Sequence, residues 1–230
     1  MLKLIRFTLL WPLMAFTFFI GIIHALFFPF KIKNNTLIKK IIRRIGRFMG
    51  FEYDIKGQEN FPEGSCIIVS NHTNNWDMFP VCEVAPDSAV SLGKHGLIYI
   101  PLFGQYFWLS GNILIKRGNR TKSIQSMEKI NLRLKKETMS IWIFPEGTRS
   151  WGAGLLPFKK GAFVTAIETG LPIIPVCFHN YHGKLNFSKK VSGRIRITIL
   201  PPIDTCHLPK NNVDQLREQV YEVMWKILKE

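Results

Sequence analysis

The amino-acid sequence predicts an α/β protein, in which a central mixed sheet is flanked by helices and preceded by a membrane-associated helical segment. Two patterns carry this prediction. From residue 51 onward, short apolar runs alternate with amphipathic stretches, as is typical of strands and helices layered around one sheet. Residues 7–30 contain no Asp, Glu, Lys or Arg, and a run of this length can cross a bilayer.

Composition bounds the number of domains and the class of protein. The 230 residues are 47% hydrophobic and 20% charged, which excludes intrinsic disorder and allows a core without disulfide staples. The four cysteines are scattered without a CxxC pair, so neither a disulfide framework nor a zinc site is expected. Residues 1–50 are assigned to membrane anchoring, and residues 51–230 to one domain of catalytic size.

The apolar run at residues 7–30 has three interpretations. A signal peptide would have a shorter apolar core and a cleavage site after it, and neither is present. A core helix of a soluble domain is rarely apolar on every side over this length. Membrane contact is therefore favoured, and both a spanning and a re-entrant arrangement stay open.

Basic residues concentrate in the N-terminal fifth of the chain. Lys and Arg number 31 against 16 Asp and Glu, and residues 1–50 contain no acidic residue. Residues 37–50 place isoleucines at helical spacing opposite five basic residues, which predicts an amphipathic helix on an anionic membrane surface. The five are Lys39, Lys40, Arg43, Arg44 and Arg47. A helix packed on the domain with a solvated basic face is the alternative, whereas a nucleic-acid arm is disfavoured by the adjoining apolar run.

The predicted elements of the second region follow from apolar runs and helical periodicity. Strands are predicted at 51–55, 66–69, 89–92, 112–115, 141–144, 173–178 and 194–200. Helices are predicted at 76–84, 97–108, 122–135, 162–169 and 213–228.

The turn after the second strand carries a candidate acid–base pair. In NHTNNWD, His72 and Asp77 stand just past a strand end, where ligands gather in α/β sheets. A carboxylate can accept a hydrogen bond from one imidazole nitrogen and leave the other free to act as a base. On spacing alone, a capping Asn or Asp and a surface histidine are the favoured interpretation.

Charged residues fall at other strand ends as well. Lys94 follows AVSLG, Arg117 ends GNILIKR, and FPEGTRS at residues 144–150 follows an apolar strand. Cationic side chains gathered at one edge of a sheet can hold a phosphate group. Together with the membrane signal, they favour a negatively charged, lipid-soluble substrate.

Four segments in order, NHTNNWD, GNILIKR, FPEGTRS and LPIIPV, resemble the sequence blocks of the glycerolipid acyltransferases, including the HX4D motif of the first block. The likeness covers nearly the whole chain. It implies transfer of a fatty acyl group from acyl carrier protein or coenzyme A to the sn-2 hydroxyl of 1-acyl-sn-glycerol 3-phosphate, giving phosphatidic acid in phospholipid biosynthesis. The alternative is another acceptor, such as glycerol 3-phosphate or a different lysophospholipid. Lys116 stands where the family usually has an acid, which bears on the pairing of Arg117 and on acceptor preference.

The resemblance also assigns residue roles. His72 is expected to be the general base for the glycerol hydroxyl, and Asp77 to orient it, in the manner of a triad whose nucleophile is the substrate. The substrate-binding residues that it implies are Lys94, Arg117, Glu146, Gly147, Thr148 and Arg149. The three cations among them would hold the acceptor's phosphate, and Glu146 would bind the acceptor or order the site. Residues 171–176 are expected near the acyl-chain pocket, with plain strand packing as the alternative.

The resemblance and the charge distribution together define the expected partners. These are the lipid bilayer, lysophosphatidic acid and an acyl carrier protein or coenzyme A thioester, which is a substrate and not a resident cofactor. No metal and no nucleic acid is expected. The expected location is the inner membrane with the catalytic domain facing the cytoplasm, where the basic cluster would place it. A non-catalytic lipid-binding protein is the rival of a different class, and the intact His72–Asp77 pair argues against it.

Overall fold

The computed structural model describes residues 1–116 and 120–229. Arg117, one of the expected phosphate-binding residues, lies outside the described residues. The described strands are β1 (Phe51–Lys56), β2 (Ile67–Ser70), β3 (Ala89–Lys94), β4 (Ile113–Ile115), β5 (Ser140–Ile143), β6 (Ile173–Phe178) and β7 (Gly193–Ile199). The described helices are α1 (Leu2–Phe27), α2 (Lys33–Phe48), α3 (Met78–Val84), α4 (Phe103–Leu109), α5 (Arg120–Lys136), α6 (Gly161–Thr169) and α7 (Val213–Lys229).

The strands form one mixed sheet in the order β1-β7-β6-β2-β5-β3-β4. The pairing of β6 with β7 is antiparallel, and the other neighbouring pairs are parallel. The predicted α/β class with a central mixed sheet is therefore confirmed. Every predicted strand is found, with its ends within two residues of the expected positions.

Helices cover both faces of the sheet. Along β2, Ile68 joins a core shared with α1–α4, whereas Ile67 and Val69 join a core shared with α5–α7. Successive strand residues point to opposite faces, so a strand buried on both sides is apolar throughout. This is why β2, β5 and β6 appear in the sequence as continuous apolar runs.

One predicted helix is broken. The periodicity at 97–108 predicted a single helix, but the structure has a short 3-10 helix at His95–Tyr99 and then α4 from Phe103. The cause is Pro101, because proline disfavours helical backbone in the residue before it and lacks the N–H that a helix needs. Leu102, which follows, has a φ of 62°.

Helix α1 lies along the domain. Its buried residues recur every three or four positions, and Phe18 stacks on Tyr106 of α4 with ring centroids 5.6 Å apart. The buried Arg6 donates hydrogen bonds to the loop after β6 and to the end of α2. Its acceptors are the carbonyls of Phe48, Phe187, Lys189 and Lys190 and the hydroxyl of Ser192.

The opposite face of α1 exposes large apolar side chains, among them Leu4, Phe16, Phe19, Leu26 and Phe27. By length and composition α1 is the one helix, within the described ranges, that could cross a membrane. One apolar face packs on the protein and the other faces outward.

Helix α2 buries its apolar stripe in the same core. Ile38, Ile42 and Ile45 are each at most 5% exposed. Lys39 is also buried, and its Nζ donates to the carbonyls of Pro86 at 2.6 Å and Ala89 at 3.1 Å. The apolar face of α2 therefore packs on the domain, which is the alternative to membrane-surface binding that the sequence left open. Lys40, Arg44 and Arg47 remain exposed.

Candidate active site

Two turns that follow parallel neighbouring strands meet at one edge of the sheet. β2 and β5 run side by side, so the segments after their carboxyl ends, 71–77 and 144–150, leave the sheet together. The backbone N–H of Ser150 donates to the His72 carbonyl at 2.8 Å, and that of Trp151 donates to the Thr73 carbonyl at 2.9 Å. The first and third sequence blocks are therefore in direct contact.

His72 and Asp77 form a hydrogen-bonded pair. Nδ1 of His72 lies 2.5 Å from Oδ2 of Asp77, and the side chains are 17% and 1% exposed. The same carboxylate oxygen accepts the backbone N–H groups of Thr73 at 2.6 Å and Asn74 at 3.1 Å. The bond to Asp77 places the imidazole proton on Nδ1 and leaves Nε2 as the basic nitrogen.

The capping role that the spacing favoured is present too: Asn74 is the N-cap, and the Asp77 side chain completes the capping box. Asn74 accepts the backbone N–H of Trp76 at 2.7 Å and so begins the short helix Asn75–Asp77. The cap fixes the path of the backbone that carries Asp77. Capping and pairing with His72 are therefore parts of one turn.

Two contacts around this pair were not predicted from the sequence. The ring of His72 stacks on Phe144, with centroids 4.1 Å apart and planes at 18°. The hydroxyl of Tyr181, in the loop after β6, donates a hydrogen bond to Oδ1 of Asp77. A spacing pattern could not have found Tyr181, which follows Asp77 by 104 residues.

Glu146 is turned away from solvent and towards the backbone. Its Oε1 accepts the N–H of His72 at 2.6 Å and its Oε2 accepts the N–H of Leu156 at 3.1 Å, and the residue is 4% exposed. Burial raises the pKa of the Glu146 carboxyl to about 7, against the lowering effect of its two backbone donors. Of the two roles expected for Glu146, this geometry matches ordering of the site.

A cavity of about 660 Å³ opens beside His72. Other predicted site residues line it as well: Asp77, Lys94, Gly147, Thr148 and Arg149. Much of the remaining wall is apolar and comes from helices, including Phe18 of α1, Ile38 of α2 and Phe103 of α4. A cavity of this size that joins cations to an apolar wall suits an amphiphile with an anionic head.

The turn in FPEGTRS needs a glycine. Gly147 has a φ of 72°, and a β-carbon there would lie 2.8 Å from Nζ of Lys159. Glycine adopts this left-handed backbone without strain. Lys159, an exposed cation from GLLPFKKGAF, therefore passes over the turn, and it was not among the predicted site residues.

The fourth block lies elsewhere. β6 is buried throughout between β2 and β7, and none of residues 171–176 lines the cavity. Strand packing therefore accounts for this block, and its expected place near the acyl-chain pocket stays a prediction. β6 nevertheless leads into the loop that carries Tyr181, and Asn71 ties the two regions by bonding the N–H and carbonyl of Phe178 at 2.8 and 2.9 Å.

Comparison with known proteins gives a consistent result. Residues 52–179 match the family described as Acyltransferase. A Salmonella typhimurium protein named 1-acyl-sn-glycerol-3-phosphate acyltransferase is 40% identical over 199 residues, which are 85% of this chain and 80% of that protein. A Haemophilus influenzae protein of the same name is 37% identical over 235 residues, covering 100% of this chain and 96% of that protein.

A solved structure shares the fold. The crystal structure of the 1-acyl-sn-glycerophosphate acyltransferase PlsC from Thermotoga maritima superposes with a TM-score of 0.77 at 22% identity, covering 99% of this chain and 93% of that one. The bacterial relatives and the apolar α1 together indicate association with a membrane. The matched segment contains the His72–Asp77 pair and the FPEGTRS turn. The resemblance seen in the sequence is thus confirmed, and the chain belongs to the acyltransferase family.

Proposed function

We propose that this protein is an O-acyltransferase that moves a fatty acyl group from an acyl thioester to the sn-2 hydroxyl of 1-acyl-sn-glycerol 3-phosphate, yielding phosphatidic acid. The observation that carries the proposal is the His72–Asp77 pair beside a cavity that joins cationic and apolar walls. The names of the two bacterial relatives support this acceptor. Acyl carrier protein and coenzyme A are the two candidate carriers.

The chemistry follows from the basic nitrogen of His72. Nε2 removes the proton from the acceptor hydroxyl as its oxygen attacks the thioester carbonyl carbon. The tetrahedral intermediate then collapses, the carbon–sulfur bond breaks, and the thiolate takes the proton back from His72. Asp77 stabilises the imidazolium between these steps, and general-base assistance of this kind is worth about 10²–10⁴-fold. Because the acceptor supplies the nucleophile, the reaction needs no nucleophilic side chain from the protein.

The cations on the cavity wall would hold the acceptor. Lys94, Thr148 and Arg149 line the same cavity as His72, and a phosphate held by these cations would keep the acceptor in the cavity that Nε2 faces. Arg117 is proposed for the same clamp from its place in the second sequence block. The apolar side chains of α1, α2 and α4 would receive an acyl chain.

The proposed location is the cytoplasmic face of the inner membrane, where acyl thioesters are available. Helix α1 packs on the domain along one face and exposes an apolar face along the other. This arrangement supports a helix embedded sideways in one membrane surface, next to the cavity that its own residues line. An acceptor that stays in the bilayer could then reach the cavity without leaving the lipid.

The test is an assay of the purified full-length protein with acyl carrier protein and coenzyme A thioesters supplied side by side. Lysophosphatidate, glycerol 3-phosphate and lysophosphatidylcholine serve as acceptors, and mass spectrometry identifies the products. We expect phosphatidic acid from lysophosphatidate, and loss of that product in His72→Ala. Faster acylation of glycerol 3-phosphate would replace the proposed acceptor, and no acylation of any acceptor would refute the function.

A further inference from the structure

Tyr181 has a polar contact that the family resemblance does not assign. It is 3% exposed, and its ring lies in the core shared with helices α1–α4. Packing alone would be served as well by phenylalanine, which has the same ring. The hydroxyl is therefore the informative group, and its partner is Oδ1 of Asp77.

The two oxygens of Asp77 have different donors. Oδ2 accepts from Nδ1 of His72 and from the backbone N–H groups of Thr73 and Asn74. Oδ1 accepts from Tyr181. A carboxylate held at both oxygens cannot rotate about its χ2 angle without breaking a bond, so Tyr181 and the turn together fix the direction in which Oδ2 faces His72.

The Tyr181 hydroxyl keeps its proton, and so remains a hydrogen-bond donor, near neutral pH. Burial raises the pKa of its phenol, and the neighbouring charge of Asp77 raises it further. A neutral phenol that donates to a buried carboxylate spreads part of the negative charge over a second group.

We propose that Tyr181 is a positioning residue for acyl transfer, which holds Asp77 through Oδ1 and thereby sets the direction in which Asp77 holds the His72 ring. The proposal rests on the proposed function. It extends the His72–Asp77 pair to a chain of three side chains, and it gives the segment after β6 a part in the reaction although that strand does not line the cavity.

Other titratable groups surround the three side chains His72, Asp77 and Tyr181, and a variant at Tyr181 leaves these groups unchanged. Glu146 binds the backbone of His72 from the β5 side, and Tyr53 of β1 faces Tyr181. Among the residues that the structure describes, the Lys and Arg side chains that line the cavity beside His72 are Lys39, Lys94 and Arg149. Because a Tyr181→Phe variant keeps all of them, a changed kcat reports the lost hydroxyl.

The first measurement compares Tyr181→Phe with the unaltered full-length protein in the lysophosphatidate assay. We expect kcat to fall about tenfold, the loss that one hydrogen bond to a charged group can produce. The KM values for acceptor and donor should stay the same, since Tyr181 does not line the cavity.

The second measurement is a double-mutant cycle with Asp77→Asn. If Tyr181 acts through Asp77, Tyr181→Phe should cause no further loss of kcat in the Asp77→Asn background. Tyr53→Phe is the matched control, because within the described chain the buried Tyr53 hydroxyl has no hydrogen-bond partner. The Tyr53→Phe variant should leave kcat unchanged.

The possible results distinguish failure of the positioning role of Tyr181 from failure of the proposed function. Equal losses of kcat from Tyr181→Phe in both backgrounds would overturn the positioning role. A lowered melting temperature with unchanged kcat would do the same and leave only a packing role. An unaltered protein that fails to acylate lysophosphatidate would instead refute the proposed function itself.

Discussion

His72 is the residue on which the proposed chemistry depends. Its side chain is 17% exposed at the cavity, while its backbone is held by Glu146 and Ser150. Removing the ring should therefore leave the surrounding turn in place. We expect His72→Ala to lose about 10²–10⁴-fold in kcat, with melting temperature and vesicle binding close to those of the unaltered protein. Turnover near the unaltered rate in a folded His72→Ala protein would contradict the mechanism.

Arg149 tests the phosphate clamp. It is exposed on the cavity wall, and the anionic group belongs to the acceptor and not to the thioester carbonyl. Arg149→Ala should raise the KM for lysophosphatidate by roughly ten- to a hundredfold, the equivalent of about 1.5–3 kcal/mol for a charged hydrogen bond. Arg194→Ala is the control, since Arg194 pairs with Glu52 outside this cavity. Equal rises in the donor and acceptor KM values would assign Arg149 another role.

Glu146 predicts a pH dependence of stability. The pKa of this carboxyl is about 7 in the folded protein, against an ordinary value of 4.5. Between these two pH values the folded protein keeps a proton that the unfolded chain has released. The contribution of the group is therefore fully present below about pH 4.5 and is lost as the pH rises through about 7. The melting temperature relative to Glu146→Gln should fall between about pH 5 and about pH 8. Glu59 is exposed, so the melting temperature of the unaltered protein relative to Glu59→Gln should differ by the same amount at every pH. A difference from Glu146→Gln that is also independent of pH would refute the raised pKa of Glu146.

Which site residues could be predicted depended on how local their partners are. His72 and Asp77 lie in one turn, and short motifs placed Lys94 and Arg149 at strand ends, so sequence reasoning found them. Tyr181 reaches Asp77 only through the fold, and nothing in HNYHG marks it. The motif identified Glu146 but could not show that its carboxylate faces the backbone, because that direction depends on contacts with Leu156 and His72.

At the level of elements, strands were easier to predict than helix contacts. A strand covered on both faces leaves a short continuous apolar run between turn residues, and such a run is typical of a buried strand. The stripe of α2 is ambiguous, since Ile38, Ile42 and Ile45 would suit a membrane surface as well as the core that they occupy. The sequence alone also could not show that Lys39 points inward while Lys40 points outward.

These two neighbouring lysines of α2 provide a matched pair. Lys39 donates to two carbonyls where α3 leads into β3, and burial lowers the pKa of its ammonium group to about 8. Lys39→Met should destabilise the protein by about 1–3 kcal/mol, the cost of leaving buried carbonyl acceptors without a donor. Lys40→Met should leave the unfolding free energy unchanged, since Lys40 is exposed. Thermal unfolding in detergent measures both, and equal stabilities of the two variants would contradict the structural role of Lys39.

Over the whole molecule, the N-terminal helices serve the core and the membrane at once. Leu10, Met14 and Phe18 of α1 are buried in the same core as the β-sheet, and Phe18 also lines the cavity. Deleting residues 1–50 would therefore remove part of the core and of the cavity wall together with any anchor. The membrane contribution has to be tested on the exposed face of α1, which the core does not use.

Leu4, Phe16, Phe19 and Phe27 form such a set, with exposed fractions of 72%, 62%, 51% and 76%. Burying a side chain of this kind in lipid is worth about 1.5–3 kcal/mol, so changing all four to glutamine should release the protein from vesicles in a flotation assay. Activity on lysophosphatidate in detergent micelles should persist, because none of the four lines the cavity, while activity on vesicles should fall. Lys40→Gln with Arg44→Gln is the comparison, and we expect it to weaken binding only to anionic vesicles and only at low salt. Unchanged flotation of the four-residue variant would show that this face of α1 does not enter the membrane.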